Sequence, residues 1–203
     1  MFMKKHLHVS ADPFPPYQYI QEDGTMTGID YDVVVRTFEK AGYTVTVDLY
    51  DNLLAALDAG KAEAAFQVQP TPERLEKYIF SKKLRDAVTE VVTHREGLQL
   101  GSYAEIETLG LVIGVIDGYT NGPEIDALPA KCKKTYPNAA ALLKGISAAE
   151  VDLGVYDKGV KEFLMKQNGI TNIYPIDNLT FLRPLHVVFF DKALCDEFDA
   201  HMD

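Results

Sequence analysis

A two-lobed α/β fold is predicted, because the chain repeats one pattern. Residues 7–66 and 111–157 each read as strand, helix, strand, helix, strand, and the second helix of each copy ends at a glycine leading into a small-residue strand. That tail is LLAALDAGKAEAAF, Leu53 to Phe66, in the first copy and AALLKGISAAEVDLGVYD, Ala140 to Asp157, in the second. Two such lobes in 203 residues imply a cleft between them, and open parallel sheets take ligands just beyond the carboxyl ends of their strands. Arg74 soon follows the third strand of one copy and Asp157 ends that of the other. A cation on one wall and an anion on the other suit a zwitterion.

The elements follow in chain order. Leu7 to Ala11 alternates as a strand and stops at Asp12 and the run Pro13, Phe14, Pro15, Pro16. A turn at Glu22, Asp23 and Gly24 leads to a helix whose apolar residues, Ile29, Val33, Val34, Phe38 and Ala41, keep the helical period until Gly42 caps it. Thr44 to Tyr50 is β-branched and alternating. Asp51 or Asn52 caps the next helix, which packs through Leu53, Leu54, Ala56 and Leu57 and ends at Gly60. Ala62 to Val68 reads as a buried parallel strand, broken by Pro70 and Pro72 before a short helix in PTPERLEKY. Val88 to Thr93 alternates again and is the candidate crossing to the second lobe.

The second lobe opens with LGLVIGVIDGY, a strand closed by Gly118. Asn121 to Ala130 reads as a helix with Pro123 in its first turn, Lys131 to Thr135 as a strand, and Ala139 to Leu143 as a helix introduced by Pro137 and Asn138. Val151 to Tyr156 is the matching buried strand, and Asp157 starts a further helix. Leu185 to Phe190 is strongly β-like and returns to the first lobe. The lobes are therefore expected at 1–86 with 184–203 and at 87–183, joined by crossing strands near 86–93 and 180–186.

Composition excludes several classes. A net charge of −10, with 20 Lys and Arg scattered along the chain, argues against a surface that tracks nucleic-acid phosphates. No apolar stretch approaches the roughly 18 residues that span a bilayer, so the chain is not expected in the membrane. MFMKKHLHVSADPF has two lysines but no apolar region after them, so it does not read as a signal peptide. The protein either works inside the cell or is seen here without its export signal. Cys132 and Cys195 lack metal-type spacing and read as idle buried thiols or as a disulfide. The five histidines form no HExxH motif and have no evident Ser or Cys partner, and no P-loop or GxGxxG motif occurs. Neither a catalytic residue, a metal site nor a cofactor is expected.

The candidate ligand residues each carry a second reading. Arg74 offers a planar fork that matches a carboxylate, or it is a surface arginine paired with Glu73 or Glu76. Asp157 holds an ammonium or simply caps the following helix; Asp12 is a strand-end ligand group or a plain turn former. Phe14, Tyr17, Tyr19 and Tyr50 place aromatic faces near first-lobe strand ends, as pocket or as core. Gln67 and Gln69, alternating with Val68, put two amides on one face, where they need partners.

The chain resembles the extracytoplasmic solute-binding proteins, family 3, that deliver polar amino acids to ABC transporters. The resemblance runs through HVSADPFPPYQY, GIDYDVVVRTFEKAG, LLAALDAGKAEAAF, TPERLEKYIFS, GVIDGYTNG and VDLGVYD, with TPER, an aromatic and FS as its most specific piece. It implies the type II periplasmic-binding fold, each lobe a mixed sheet flanked by helices. It further implies that Arg74 clamps an α-carboxylate, that Asp157 takes the α-ammonium and that Asp12 and Phe14 meet the ligand at the first strand. Tyr50 would cover the ligand side chain, and Thr120 and Asn121 would complete the carboxylate site. Gln67, Gln69 and Pro70 stand where the family usually has small residues and a Ser or Thr, and GYTNG replaces a tighter Gly-Thr-Thr turn. The chain also ends soon after Phe198, short of the final helices of many members.

The expected function is capture of a small polar solute, an amino acid first of all, by hinge closure of the two lobes, and its delivery to an ABC transporter permease from a periplasmic or extracytoplasmic location. A monomer suffices for this, and no bond is broken. Asp12 with Tyr17 and Tyr50 points to a polar or cationic side chain. The rivals are the ligand-sensing domain of a receptor and a cyclohexadienyl dehydratase-like enzyme. The enzyme needs a general acid in the cleft, and Glu63 and Glu150 precede their strands at the wrong end.

Overall fold

Residues 5–203 are described by a computed structural model, so the sequence reading of the N-terminal segment lies, for residues 1–4, outside the described residues. The chain divides into two units, Met1–Asp86 with Arg183–Asp203, and Ala87–Leu182.

Unit 1 is built on β1 (His6–Ala11), paired in parallel with β4 (Thr44–Leu49) on one side and β5 (Ala64–Val68) on the other. Between these strands come a small hairpin, β2 (Tyr19–Ile20) and β3 (Met26–Thr27), the helix α1 (Ile29–Lys40) and the helix α2 (Leu53–Asp58). The short helix α3 (Pro72–Lys77) follows β5 and leads into β6 (Ile79–Thr93), a strand that begins well before the expected Val88. The last strand of the chain, β11 (Phe181–Phe189), pairs antiparallel with β5 and lies beside β6. A terminal helix, Lys192–His201, closes the unit.

Alternation explains which face each strand residue takes. Leu7, Val9, Ala64, Phe66, Val187 and Phe189 share one buried cluster with Val34 and Phe38 of α1 and Phe198 of the terminal helix. Phe38 sits 4.8 Å from Phe198 and 6.2 Å from Phe189, ring centroid to centroid. The opposite face packs Ala65, Val68 and Val188 against Leu57 of α2 and Tyr78. Val68 reaches that face because β5 is bulged: His186 opposes Val68 and Val188 opposes Ala65, leaving Phe66 and Gln67 opposite Val187 alone. Gln67 takes up the extra residue at φ 64°. The strict alternation expected across Gln67, Val68 and Gln69 is thereby broken.

The buried stripe of α1 also differs from the expected one. Ile29 and Val33 are 57% and 37% exposed, whereas Asp30, Val34, Thr37 and Phe38 are buried. These four keep the helical period on a face turned by about one position. The cause lies at the N-terminus of the helix, which has no side-chain cap. Its first N–H groups donate instead to backbone carbonyls of the loop after β1: Ile29 to Pro16 at 3.1 Å, and Asp30 and Tyr31 to Tyr17 at 3.0 and 3.1 Å. Gly28 permits this crossing. A Cβ there would stand 2.1 Å from the Tyr17 carbonyl oxygen, and its φ is 140°.

Unit 2 repeats the arrangement. After α4 (Ala104–Thr108), the central strand β7 (Ile113–Ile116) pairs in parallel with β8 (Lys133–Tyr136) and with β9 (Leu153–Asp157). The helix expected over Asn121 to Ala130 is only α5 (Pro123–Asp126), followed by a 3-10 turn at Ala130–Cys132, and the strand after it starts at Lys133 rather than Lys131. Next come α6 (Ala139–Ser147), capped by Asn138, and α7 (Lys158–Asn168), capped by Asp157. β10 (Tyr174–Pro175) pairs antiparallel with the end of β6, whose residues Thr89–Thr93 also run antiparallel to β9. The remaining helix, α8 (Lys192–His201), is the terminal one described for unit 1. Ile113, Val115, Leu153 and Val155 join Val91, Leu100, Ile106, Ile125 and Ile176 in one core. On the other face α6 packs closely on the sheet, since a Cβ at Gly114 would lie 2.2 Å from Leu142 Cδ1. Glu90 of β6 and Lys161 of α7 form a buried ion pair, with side chains 8% and 7% exposed.

Gly28→Ala is expected to cost roughly 3 kcal/mol, because the clash is with backbone and the dihedral is unfavourable to any Cβ. Gly24→Ala, where nothing lies within 4 Å of the new Cβ, should cost only about 1 kcal/mol. Urea unfolding midpoints of the two variants check this difference.

Candidate functional site

The carboxyl ends of the unit 1 strands gather most of the sequence candidates. Asp12 directly follows β1, and its carboxylate accepts from Gln18 Nε2 at 3.3 Å. Gln18 is fully buried, and its Oε1 has no partner among the described residues. Burial is the main influence on Asp12 and pushes its carboxyl above the ordinary 3.8, against the hydrogen bonds from its own backbone and from Gln18. Phe14 and Tyr17 stack with ring centroids 5.8 Å apart and planes 20° from parallel. Tyr50 lies half-buried just past β4, its N–H on the Ala11 carbonyl at 2.8 Å.

Gln67 and Tyr17 are held by a pair that sequence reasoning missed. The Asp30 carboxylate, its side chain 3% exposed, accepts from Gln67 Nε2 at 2.6 Å and from Arg85 Nε at 2.9 and 3.1 Å. The Arg85 guanidinium lies over the Tyr17 ring, 3.6 Å from its centroid. The only sequence signal was an aspartate in the first turn of a helix, which usually needs no explanation beyond the helix dipole. Arg85 sat in a strand whose start was unrecognised.

Arg74 occupies the first turn of α3, behind the N-cap Thr71, whose hydroxyl accepts the Arg74 N–H at 3.3 Å. Its Nη1 donates to the carbonyl of Gln69 at 3.0 Å. The arginine is half-buried and forms no ion pair with Glu73 or Glu76.

In unit 2, Asp157 is buried, and its Oδ1 accepts from the N–H groups of Gly159 at 2.9 Å and Val160 at 3.2 Å, so the capping role is realised. Thr120 is exposed, and Asn121 is tied to Asp126 through its N–H at 3.2 Å and through Nδ2 at 3.3 Å. A surface pocket of about 410 Å³ in this unit is lined in part by Asp117, Tyr119, Asn121, Asp126, Lys133 and Thr135, without Thr120 or Asp157.

Cys132 and Cys195 are both buried free thiols, and burial pushes the Cys195 thiol up to about 11. Among the described residues no group of His, Cys, Asp and Glu could hold a metal ion, and no helix is long and apolar enough to cross a membrane.

Polar groups thus gather at the strand ends, and comparison with known proteins gives the class of the chain. The profile of the bacterial extracellular solute-binding proteins, family 3, matches residues 7–177, and the chain belongs to that family. The probable amino-acid-binding protein YxeM of Bacillus subtilis (strain 168) is 26% identical over 171 residues, covering 81% of this chain and 64% of that protein. The chain thus spans under two thirds of that relative's length. Among solved structures, an ancestral arginine-binding protein bound to arginine superposes with a TM-score of 0.82 at 21% identity, covering 99% of this chain and 92% of the other. A histidine kinase sensor domain with similarity to periplasmic binding proteins also reaches 0.82, at 18% identity, covering 98% and 89%. The fold is that of the type II periplasmic binding proteins, and the matched family and the Bacillus subtilis relative are named for binding.

A test of the strand-end electrostatics follows from Asp12. A carboxyl whose pKa is raised in the folded state gives up stability when it ionises. The Asp12 contribution is therefore fully present below the unfolded value near 3.8 and lost as pH rises through the higher folded value. Asp12→Asn should match the wild type in stability near pH 3 and exceed it at pH 7, as read from unfolding midpoints across that range. Equal stability at both pH values would refute the burial effect.

Proposed function

We propose that this protein captures an α-amino acid and hands it to an ABC transporter permease outside the cytoplasm. The observation that carries the reading is Arg74, a half-buried guanidinium beyond the end of β5 that is anchored on a backbone carbonyl and not on a neighbouring carboxylate. Such a group is poised for a ligand carboxylate in a bidentate geometry that lysine cannot reproduce. Asp157 supplies the complementary anion for the α-ammonium. One of its oxygens is committed to the cap of α7, which fixes the side chain, and the other is oriented by that same cap.

Asp12, Phe14, Tyr17, Tyr50, Gln67 and Gln69 form the unit 1 wall, and Thr120 and Asn121 add backbone and hydroxyl groups from unit 2. Because the ligand draws on both units, its binding closes them, and β6 and β11, which carry the chain across the boundary, act as the hinge. Family membership and the amino-acid-binding name of the Bacillus subtilis relative support this reading. The likeness to a histidine kinase sensor domain supports a second one, a ligand-sensing module. A transmembrane segment in the same gene product would decide for the sensor.

A thermal-shift screen of ligand-stripped protein against the common amino acids should give a clear rise in Tm with one or a few of them, since a ligand at 100 times its Kd adds about 2.7 kcal/mol. Arg74→Lys should weaken that ligand by about 10- to 100-fold, the loss of one or two charge-assisted hydrogen bonds. Asp157→Asn should keep stability within about 0.5 kcal/mol, because Asn caps a helix as well as Asp, while lowering affinity about tenfold or more. A shift with keto or cyclic acids alone, and none with any α-amino acid, would overturn the zwitterion clamp.

A further inference from the structure

We infer that the buried ion pair between Glu90 and Lys161 positions Asp157, holding its carboxylate where an α-ammonium can meet it. The inference rests on the amino-acid reading above and adds two positioning residues to the recognition of the ammonium. Lys161 lies one helical turn beyond Asp157, on the face of α7 buried with Val160 and Leu164. Glu90 lies on β6 directly opposite Tyr156, the residue before Asp157, and Thr89 is opposite Asp157 itself. Lys161 Nζ donates to Glu90 Oε2. One charge-assisted bond therefore ties the start of α7 to the strand position alongside its N-cap.

Packing alone does not account for these two residues. Taking both charges out of water is costly enough that apolar side chains of similar volume would hold α7 on the sheet as well or better. What an apolar pair cannot supply is direction, because hydrophobic contact is non-directional whereas an ammonium–carboxylate bond is short and oriented. Direction matters at Asp157. Its Oδ1 accepts the N–H groups of Gly159 at 2.9 Å and Val160 at 3.2 Å, and both donors belong to α7, so a turn or slide of the helix carries the carboxylate with it. The strand has its own tether on the face it shares with Glu90, where the Tyr156 hydroxyl donates to the Ala139 carbonyl at 2.6 Å. Glu90–Lys161 gives the helix the matching one. A recognition group left about 1 Å too loose loses much of its effect, so a fixed helix start bears directly on the ammonium.

The test reads ammonium recognition separately from folding. The probes are the L-amino acid that gives the largest Tm rise in the screen above and its desamino acid, which keeps the side chain and carboxylate and carries hydrogen in place of the ammonium, both followed by isothermal titration calorimetry. The wild type should favour the amino acid by about tenfold or more. E90M/K161M, an apolar pair of similar volume, should remain folded. It should lower that preference by at least about fivefold and bind the desamino acid within about threefold of wild type. In an Asp157→Asn background the same two substitutions should lower amino-acid affinity by no more than about twofold, because they act through Asp157. A purely structural role would weaken both probes alike, or weaken the amino acid by the same factor in both backgrounds, and either result overturns the inference while leaving the amino-acid reading intact. A wild type that binds amino acids without preferring them to their desamino acids overturns the Asp157 role and this inference with it. Failure to bind any common amino acid overturns the amino-acid reading as well. If E90M/K161M loses its folded circular-dichroism spectrum, Lys161→Met alone is read by the same preference and background criteria, since a buried Glu90 can take up a proton. If neither variant folds, the pair serves the fold rather than the site, and the inference is overturned.

Discussion

The first turn of α1 governs unit 1. A helix N-terminus leaves N–H groups without partners, and here a loop backbone rather than a capping side chain satisfies them. This choice draws the segment from Phe14 to Gln18 across the end of the helix and requires Gly28 beneath it. It also turns α1 so that Asp30, not Ile29, faces inward. A carboxylate taken out of water is strongly unfavourable unless it is both paired and hydrogen-bonded. Arg85 and Gln67 meet those two needs. To reach Asp30, Gln67 sits at the αL position of a β-bulge, a conformation that costs a non-glycine residue on the order of 1 kcal/mol or more. One backbone decision thus propagates through a helix face, an ion pair and a strand irregularity to the groups that border the strand ends.

The two units solve the same packing problem with the same strand order. In each, the first strand of the repeat is central, with the second and third in parallel on either side. The third strand of each then accepts an antiparallel neighbour, β11 on β5 and β6 on β9. This makes both sheets mixed and gives each third strand a fully paired interior position, which explains the small apolar residues of AAF and LGVY. It also leaves the chain just after each third strand as the place where a buried strand gives way to a helix. Arg74 and Asp157 both occupy that place.

The repeat was legible because it is written in local signals. Glycine stops, Asn and Asp caps and β-branched runs each act within a few residues, and Asn52, Thr71, Asn138 and Asp157 all cap as side chains. What escaped was set by contacts distant in sequence. The α1 stripe Ile29, Val33, Val34, Phe38 is as periodic as the true one, and only the loop crossing at Gly28 decides between them. The Asp30–Arg85 pair spans 55 residues, and neither partner has a local signature. Likewise the alternation of Gln67, Val68 and Gln69 is correct for a regular strand and fails because β5 is bulged where it pairs with β11. The shortened α5 has a simpler cause: Pro129 follows too soon for the helix to continue, and Leu128 N–H is already bonded to Ile125.

In the proposed role, Arg74 and Asp157 would each join a structural duty to a binding duty in one side chain. In a helix of six residues Arg74 belongs to the last turn as well as the first, so the helix dipole has little say in its position. The bond from Nη1 to the Gln69 carbonyl restrains the guanidinium, and the Thr71 cap fixes the backbone from which it projects. Asp157 is the reverse case. Its cap stabilises α7, and that same bond removes the rotamer freedom a ligand would otherwise have to freeze. The buried Glu90–Lys161 pair ties α7 to β6 one turn further along, so the capped aspartate stands on a helix that is itself anchored. In both units the preorganisation is therefore built from ordinary helix-start chemistry placed at the end of the third strand. Any ligand that uses these groups meets them already oriented, with the cost of ordering borne when the chain folds.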